Sequence, residues 1–286
     1  MQRQKSFNQT QPTLYLVATP IGNLDELTPR AIHILESVDL IAAEDTRNTV
    51  KLLNHFEIQT KMMSHHEHNI KQSIPKIISL IKEGNSIALV SDAGYPAVSD
   101  PGYELVQAAI QEEIPVVPIS GANAGLDALI VSGIAPQPFL FYGFLSHQDS
   151  TKKKELEQLK TQSPTLIFYE APHRIEKTLK IMLSILGNRN IALCRELTKK
   201  HEEIIRGTIE EILEIAAELK GEMVLIVEGA KEVITEKPSL DQILEVMKDY
   251  LQNGLKTKEA ARQTANDLNL KKNEVYQLYI NQSEND

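Results

Sequence analysis

Val90-Ser91-Asp92-Ala93-Gly94-Tyr95-Pro96-Ala97-Val98-Ser99-Asp100-Pro101-Gly102 carries more information than any other segment of this chain. The apolar run Ile87–Val90 breaks at Ser91 into small, acidic and turn-forming residues. Beyond it Leu105, Val106, Ala109 and Ile110 recur with helical spacing. The order is strand, loop, helix, with Asp100 expected as N-cap and Pro101 at the first helical position. In open α/β sheets such strand-end loops collect the ligand. This loop holds no Lys or Arg, and Gly94 is its only glycine before the Asp-Pro-Gly turn. A phosphate cradle needs clustered glycines and a cation, so the expected ligand is small and neutral or cationic.

Outward from this loop, strand-like and helical runs alternate. Thr13–Ala18, Val38–Ala43, Ile87–Val90, Val116–Ile119 and Phe139–Phe141 read as strands separated by amphipathic stretches, the rhythm of βαβ units. Thr28-Pro29 opens the first helix, and Asp45 is expected to cap another after Val38–Ala43. Pro136-Gln137-Pro138 interrupts the pattern and divides residues 13–135 from a second α/β segment, residues 136–232. There Thr151–Lys160 reads as a helix, Thr165–Tyr169, Asn190–Cys194 and Glu222–Val227 as strands, and Pro172 as the start of a helix with the apolar stripe Ile175, Leu179, Met182, Leu183, Leu186. Thr208-x-x-Glu211 and Ser239-x-x-Gln242 are capping boxes. Residues 238–286 show three short helices and no strand, and Thr257–Ile280, turning at Asn269-Leu270, resembles a helix-turn-helix. The fold class is therefore α/β: two doubly wound domains with a cleft between them and a small helical C-terminal extension.

Composition sets bounds. A chain of 286 residues with 42% apolar content fills proper cores. No apolar run reaches the ~18 residues of a membrane span, so no membrane partner is expected. Residues 1–12 are polar and read as a disordered tail. One cysteine, Cys194, excludes an internal disulfide and fits a reducing cytoplasm; its apolar run Ile191-Ala192-Leu193 makes it a packed thiol. The net charge of −9 argues against a general nucleic-acid binder and requires locally basic surface if RNA is the substrate. Between Gly254 and Gln282 the sign reverses, with Lys256, Lys258, Arg262, Lys271 and Lys272 against Glu259, Asp267 and Glu274. That segment is either an RNA-docking module or an ordinary helical cap.

The pattern Ser-Asp-Ala-Gly-x-Pro-x-Val-Ser-Asp-Pro-Gly resembles the signature of the ribosomal RNA small subunit methyltransferase I family, a branch of the tetrapyrrole methylase superfamily. Agreement continues, in order, at Ala18–Leu24, Ala43–Arg47, His66–Asn69, Phe168–Arg174 and Arg195–Lys199. Two positions depart from the family pattern: Tyr95 replaces a usual Thr, and Ser120-Gly121-Ala122-Asn123-Ala124 replaces a usual Pro-Gly-x-Ser-Ala. The resemblance implies S-adenosylmethionine as cofactor, held by Ser91, Asp92, Ala93, Gly94, Gly121, Ala122, Asn123, Ala124, Tyr169, Glu170 and Leu197. Its sulfonium and ammonium suit carbonyls and carboxylates, in keeping with a loop that has no cation. The implied reaction is 2′-O-methylation of a cytidine in 16S ribosomal RNA, at the decoding centre of the small subunit. A tetrapyrrole methylase with the same cofactor site is the rival enzyme, and a ribosome-associated cofactor binder is the non-enzymatic alternative. Family members are often dimeric, so the resemblance leaves a homodimer possible, with no surface patch in the sequence that would show it.

A ribose hydroxyl is a poor nucleophile and calls for a base or an electrostatic helper. Glu170, His173, Glu196 and Lys199 are the catalytic candidates, His173 kept neutral by its place at a helix N-terminus. Equally open is that Glu170 and Arg174 only pair and orient their turn. Arg195, Lys199, Lys200 and Arg206 are either phosphate contacts or solvated charges, and Arg47 could reach RNA. His65-His66-Glu67-His68 has no second ligand cluster, so no metal is expected and the segment reads as a polar loop.

Overall fold

The computed structural model describes residues 3–6, 11–231, 238–268 and 270–283. The chain divides into two compact units, residues 1–230 and 231–286. The first begins with five strands, β1 (Leu14–Val17), β2 (Leu40–Ala43), β3 (Met62–Ser64), β4 (Ile87–Val90) and β5 (Val116–Ile119), in the order β3-β2-β4-β1-β5 and all parallel. Helices α1 (Pro29–Ser37) and α2 (Thr46–His55) cover one face, burying Leu35 and Leu53 against Val17, Ile41 and Val90. Helices α3 (Ile70–Lys82) and α4 (Tyr103–Gln111) cover the other, burying Ile77, Ile81 and Leu105 against Leu14, Ile87 and Leu89. Burial on both faces is why the central strands β2 and β4 read as continuous apolar runs. The helices after β1 and β4 lie on opposite faces, so a crevice opens beyond the carboxyl ends of these neighbours.

Local signals hold where side chains act on their own backbone. Thr28 Oγ1 accepts from Ala31 N at 3.2 Å with Pro29 in the first turn, and Asp45 Oδ1 accepts from Arg47 N at 2.8 Å. Two helix starts differ from expectation. After Asp100-Pro101 the helix begins only at Tyr103, capped by Gly102 at φ 145°. Gly102 lies so close to Leu89 that a Cβ there would come within 2.8 Å of its Cδ2, and this tight entry releases Asp100 from capping. Likewise Pro172–Arg174 form a turn, and the helix that follows starts at Ile175.

The second sheet comprises β6 (Phe139–Phe144), β7 (Thr165–Glu170), β8 (Asn190–Arg195), β9 (Glu203–Thr208) and β10 (Met223–Val227), in the order β6-β7-β10-β8-β9. Only β6 and β7 run parallel; β7–β10, β10–β8 and β8–β9 are antiparallel. The doubly wound pattern expected here thus applies to the first sheet, whereas the second is mixed. Because β10 lies inverted between β7 and β8, the carboxyl ends of β7 and β8 and the start of β10 share one edge. Helix α5 (Ala124–Val131) packs Ala128 and Leu129 on one face against Ile167, Ala192 and Val224. Helices α6 (Asp149–Leu159), α7 (Ile175–Leu186) and α8 (Ile209–Ile215) bury Leu156, Leu179, Met182 and Ile212 on the other.

Of the expected N-terminal tail, residues 1–2 and 7–10 lie outside the described residues. Gln4 brackets the backbone of Val116, donating to its carbonyl at 2.9 Å and accepting from its N–H at 3.0 Å. The expected boundary at residue 232 and the segment to 237 also lie outside the description. The second unit holds α9 (Leu240–Gln252), α10 (Thr257–Asp267) and α11 (Lys272–Ser283) around Ile243, Met247, Ala260, Ala261 and Val275. Both partners of the Ser239/Gln242 capping box are in place. Of the turn expected at Asn269-Leu270, Asn269 is outside the described residues, while Leu270 N donates to Ala265 O at 2.8 Å.

Candidate functional site

Four strand-end segments converge on one cleft of about 420 Å³ within the first unit. β4 contributes Asp92, Ala93 and Gly94, and the start of α5 contributes Asn123 and Ala124. Tyr169–Pro172 follow from β7, and Cys194 and Leu197 from β8. Gly94 pairs with Thr19 across the crevice, each N–H donating to the other's carbonyl at 2.9 and 3.0 Å. Among the described residues lining the cleft are Glu44, Asp92, Asp100, Glu170 and Glu222, but no Lys, Arg or His. Tyr95, Phe144 and Tyr169 supply flat apolar surface.

The acidic side of the cleft is organised by hydrogen bonds. Asp92 N donates to Glu44 Oε2 at 3.2 Å, and Asn48 Nδ2 donates to Asp92 Oδ2 at 2.9 Å. Burial, then repulsion from neighbouring carboxylates, raises the Glu44 carboxyl above its usual range despite the Asp92 N–H. Asp100 is also raised, first by burial and then by Asp92, with a hydrogen bond to Ser91 opposing. Raised carboxyls facing one cavity form a field that a cationic ligand relieves. Burial pushes the Cys194 thiol up to about 11, so it stays protonated at neutral pH and is a poor nucleophile.

Glu170 is differently placed. Its side chain is 1% exposed. Oε1 accepts from Ala171 N at 2.9 Å and faces Arg174 Nε at 3.2 Å. Oε2 accepts from Thr178 Oγ1 at 2.5 Å and lies 3.8 Å from Lys152 Nζ. Lys152, 2% exposed, donates to Thr178 Oγ1 at 2.7 Å, and burial lowers its ammonium below the usual range against the pull of Glu170. Arg174 also donates to the carbonyls of Leu145 and Ser146 at 2.7 and 3.1 Å. The carboxylate thus ties β7, α6 and α7 into one buried knot beneath the Ala171-Pro172 wall.

At the end of β8, Glu196 (φ 50°) and Thr198 (φ 67°) adopt the left-handed conformation that non-glycine residues avoid, above all β-branched ones. Lys199 Nζ bridges Glu196 Oε1 at 3.2 Å and Glu222 Oε2 at 2.8 Å. Desolvation opposes the charge of Glu196, but the Glu222 N–H, Lys199 and Arg195 outweigh it and its carboxyl is lowered. For Lys199 desolvation is likewise outweighed, here by the two carboxylates, and the ammonium is raised. Gly22 meets this loop closely: a Cβ there would lie 2.5 Å from Lys199 Cγ.

The remaining candidates fall elsewhere. Gly121 and Ala122 stand behind the lining, Gly121 N donating to Tyr95 Oη at 3.1 Å. The two positions that depart from the family pattern therefore touch. Ser91 is buried, its Oγ directed to the carbonyls of Ala93 and Gly94. His173 is exposed in its turn and does not line the cleft. Arg195 pairs with Glu203 at 2.5 Å, and Arg206 donates to Val131 O at 2.6 Å, closing the end of α5; these two cations serve the scaffold. Lys200 is exposed. His65 is 1% exposed with Nδ1 2.8 Å from Ser73 Oγ, and burial lowers its imidazole. Among the described residues no group of His, Cys, Asp and Glu is arranged to hold a metal. No helix among them is long and apolar enough to cross a membrane. Glu44, Tyr95, Phe144 and Glu222 line the cleft without having been singled out as site residues from the sequence. Glu44 stood inside the quoted Ala43–Arg47 motif, and that was its available signal.

The family described as Tetrapyrrole (Corrin/Porphyrin) Methylases matches residues 13–213. A protein named ribosomal RNA small subunit methyltransferase I from Bacillus subtilis is 53% identical, covering 98% of both chains. One of the same name from Halalkalibacterium halodurans is 51% identical over 98% of this chain and 99% of its own. Among solved structures, uroporphyrin-III C-methyltransferase from Thermus thermophilus complexed with S-adenyl homocysteine superposes with a TM-score of 0.55 at 18% identity, covering 76% of this chain and 97% of its own. Diphthine synthase gives 0.62 at 11%, covering 76% and 90%.

Proposed function

Because the chain belongs to the tetrapyrrole methylase family and, within it, to the ribosomal RNA small subunit methyltransferases I, we propose that it methylates the 2′-oxygen of a cytidine in 16S ribosomal RNA, at the decoding centre of the small subunit. It is a methyltransferase that uses S-adenosylmethionine, and it works in the cytoplasm. The observation that carries the cofactor assignment is the cleft of about 420 Å³, lined by five carboxylates and no cation. When bound, S-adenosylmethionine supplies an electrophilic methyl group on a sulfonium; it carries an ammonium and no phosphate. Those charges match this donor set, whereas a nucleotide cofactor would bring phosphates against carboxylates.

The chain's own residues have separable tasks. Asp92 and Asp100 would meet the positive charge of the cofactor, and Tyr95, Phe144 and Tyr169, which line the same cleft, would offer aromatic surface to its base. Glu170 holds the Ala171-Pro172 wall through its buried partners and acts as a positioning residue. Lys199, kept charged by Glu196 and Glu222, offers a cation at the rim where the RNA backbone approaches. His173 is exposed in the turn that follows that wall, ahead of the helix that begins at Ile175. Holding the hydroxyl in line with the methyl group supplies most of the acceleration in such a transfer.

Labelled S-adenosylmethionine incubated with undermethylated small subunits tests the reading. Label recovered as 2′-O-methylcytidine from 16S RNA supports it. Label in a base, in a tetrapyrrole or nowhere overturns it. Whether the chain forms a homodimer, a state the family resemblance leaves open, is checked by the mass in light scattering.

A further inference from the structure

On the other side of Asp92 a second hollow opens, of about 210 Å³, lined by Thr19, Pro20, Leu24, Asn48, Lys51 and Asp92 among others. Asp92 therefore belongs to both hollows. A polar chain crosses the smaller one: Lys51 Nζ donates to Asn48 Oδ1 at 3.4 Å, and Asn48 Nδ2 donates to Asp92 Oδ2 at 2.9 Å. Opposite stand Pro20 and Leu24, the latter 37% exposed. Among the described residues no cation lines the larger cleft, whereas this hollow includes Lys51, and a Cβ on its Gly22 would meet the Lys199 side chain.

We propose that this hollow is the subsite for the acceptor nucleoside of the RNA, an inference that rests on the function proposed above. Size is the first argument. Pockets that enclose a whole small ligand run from roughly 300 to 1,000 Å³, so an open hollow below that range takes one unit of a larger molecule. Position is the second: a sugar seated here meets the cofactor cleft at the Asp92 carboxylate, an acceptor for a ribose hydroxyl. Charge is the third. Lys51 suits the flanking phosphate, the amide of Asn48 suits a base edge, and the Pro20–Leu24 wall suits a base face. Specificity for the nucleotide then lies on α2 and the loop after β1, with Asp92 shared between the two hollows.

The test uses the full chain with Lys51→Ala, and with Lys61→Ala as a control at the opposite end of the sheet. Two readouts are taken: methyl transfer to undermethylated small subunits, and calorimetric titration with cytidine 3′,5′-bisphosphate in the presence of S-adenosylhomocysteine. Lys51→Ala should raise KM for subunits about 3–10-fold and lower the salt slope by about 0.7. It should weaken bisphosphate binding by a similar factor and leave cofactor Kd unchanged, while Lys61→Ala should behave like the wild type. Wild-type KM and bisphosphate affinity in Lys51→Ala would overturn the subsite, as would a matching loss of cofactor affinity. If the wild type transfers no methyl to RNA, the proposed function fails, and the titration still decides. Lys51-dependent bisphosphate binding then supports the hollow as a nucleotide site, and its absence rejects it.

Discussion

The loops that follow β4 and β7 hold equivalent places at strand ends and use their carboxylates in opposite ways. Asp92 and Asp100 face the cavity, with burial and mutual repulsion raising Asp100 above its usual range. Glu170 lines the same cavity but is surrounded by Arg174, Lys152, Thr178 and the Ala171 N–H. The first loop has hydrogen bonds from Asn48 and Ser91 but no ion pair among the described residues; the second satisfies its charge within the scaffold. An acidic residue in a motif is therefore no evidence of chemistry until its partners are known.

The largest expected effect lies in the second loop. Glu170→Ala leaves the ammonium of Lys152 buried without its carboxylate, and breaking such a pair costs about 3–5 kcal/mol. Urea unfolding should show this loss, while any folded fraction keeps near-normal cofactor affinity. A stable Glu170→Ala enzyme that turns over slowly would reverse the comparison and make Glu170 part of the chemistry.

Next come the cleft carboxylates. Asp92→Ala and Asp100→Asn should each weaken S-adenosylmethionine by about 1–3 kcal/mol. Asp100→Asn also removes a raised, repelled charge, so its Tm should hold or rise by about 1–3 °C. Calorimetry and a thermal melt on the same sample check both. A fall in Tm together with unchanged affinity would place Asp100 with Glu170.

The same contrast has a pH signature. Burial is the main cause of the raised Glu44 and Asp100 carboxyls, and a cation binds their ionised forms. As pH falls through the raised values these groups take up protons, and cofactor affinity should drop at higher pH than ordinary carboxylates near 4 would cause. Stability moves the other way. The folded state binds more protons than the unfolded chain in that window, so the ligand-free protein gains stability from this pair as pH falls. Titrations from neutral pH downward should show falling affinity without a falling Tm from this source.

The smallest effect concerns the helical extension. Replacing Lys256, Lys258, Arg262, Lys271 and Lys272 with Gln should flatten the salt dependence of subunit methylation by about 0.7 for each phosphate left without its cation, with cofactor affinity unchanged. An unchanged slope would leave the RNA backbone to Lys51, Lys199 and their neighbours.

Much of this was legible because it is local. The Thr28-Pro29 start, the Asp45 cap and both capping boxes act within one helical turn, and the structure has them as read. The strands Ile87–Val90 and Val116–Ile119 agree to the residue; burial on both faces leaves the first an apolar run with sharp ends, whereas the second lies at the sheet edge and exposes Pro118. Two strands were not read. Met62–Ser64 has three residues, and Glu203–Thr208 is an edge strand whose charges break the alternation.

What the sequence determined by itself was the acidic, cation-free loop at Ser91–Gly94, the strand-end placement of four motifs and the family they resemble. Tertiary structure alone decided the antiparallel course of β10 between β7 and β8, which sets their loops at one edge. It also decided that Glu170 meets Lys152, which lies on another element, while Asp92 stays open to two hollows. The physical reason is range. Capping, turn chemistry and apolar period act between residues a few positions apart, whereas the charge state and availability of a carboxylate depend on whichever distant groups the packed core brings within hydrogen-bonding reach.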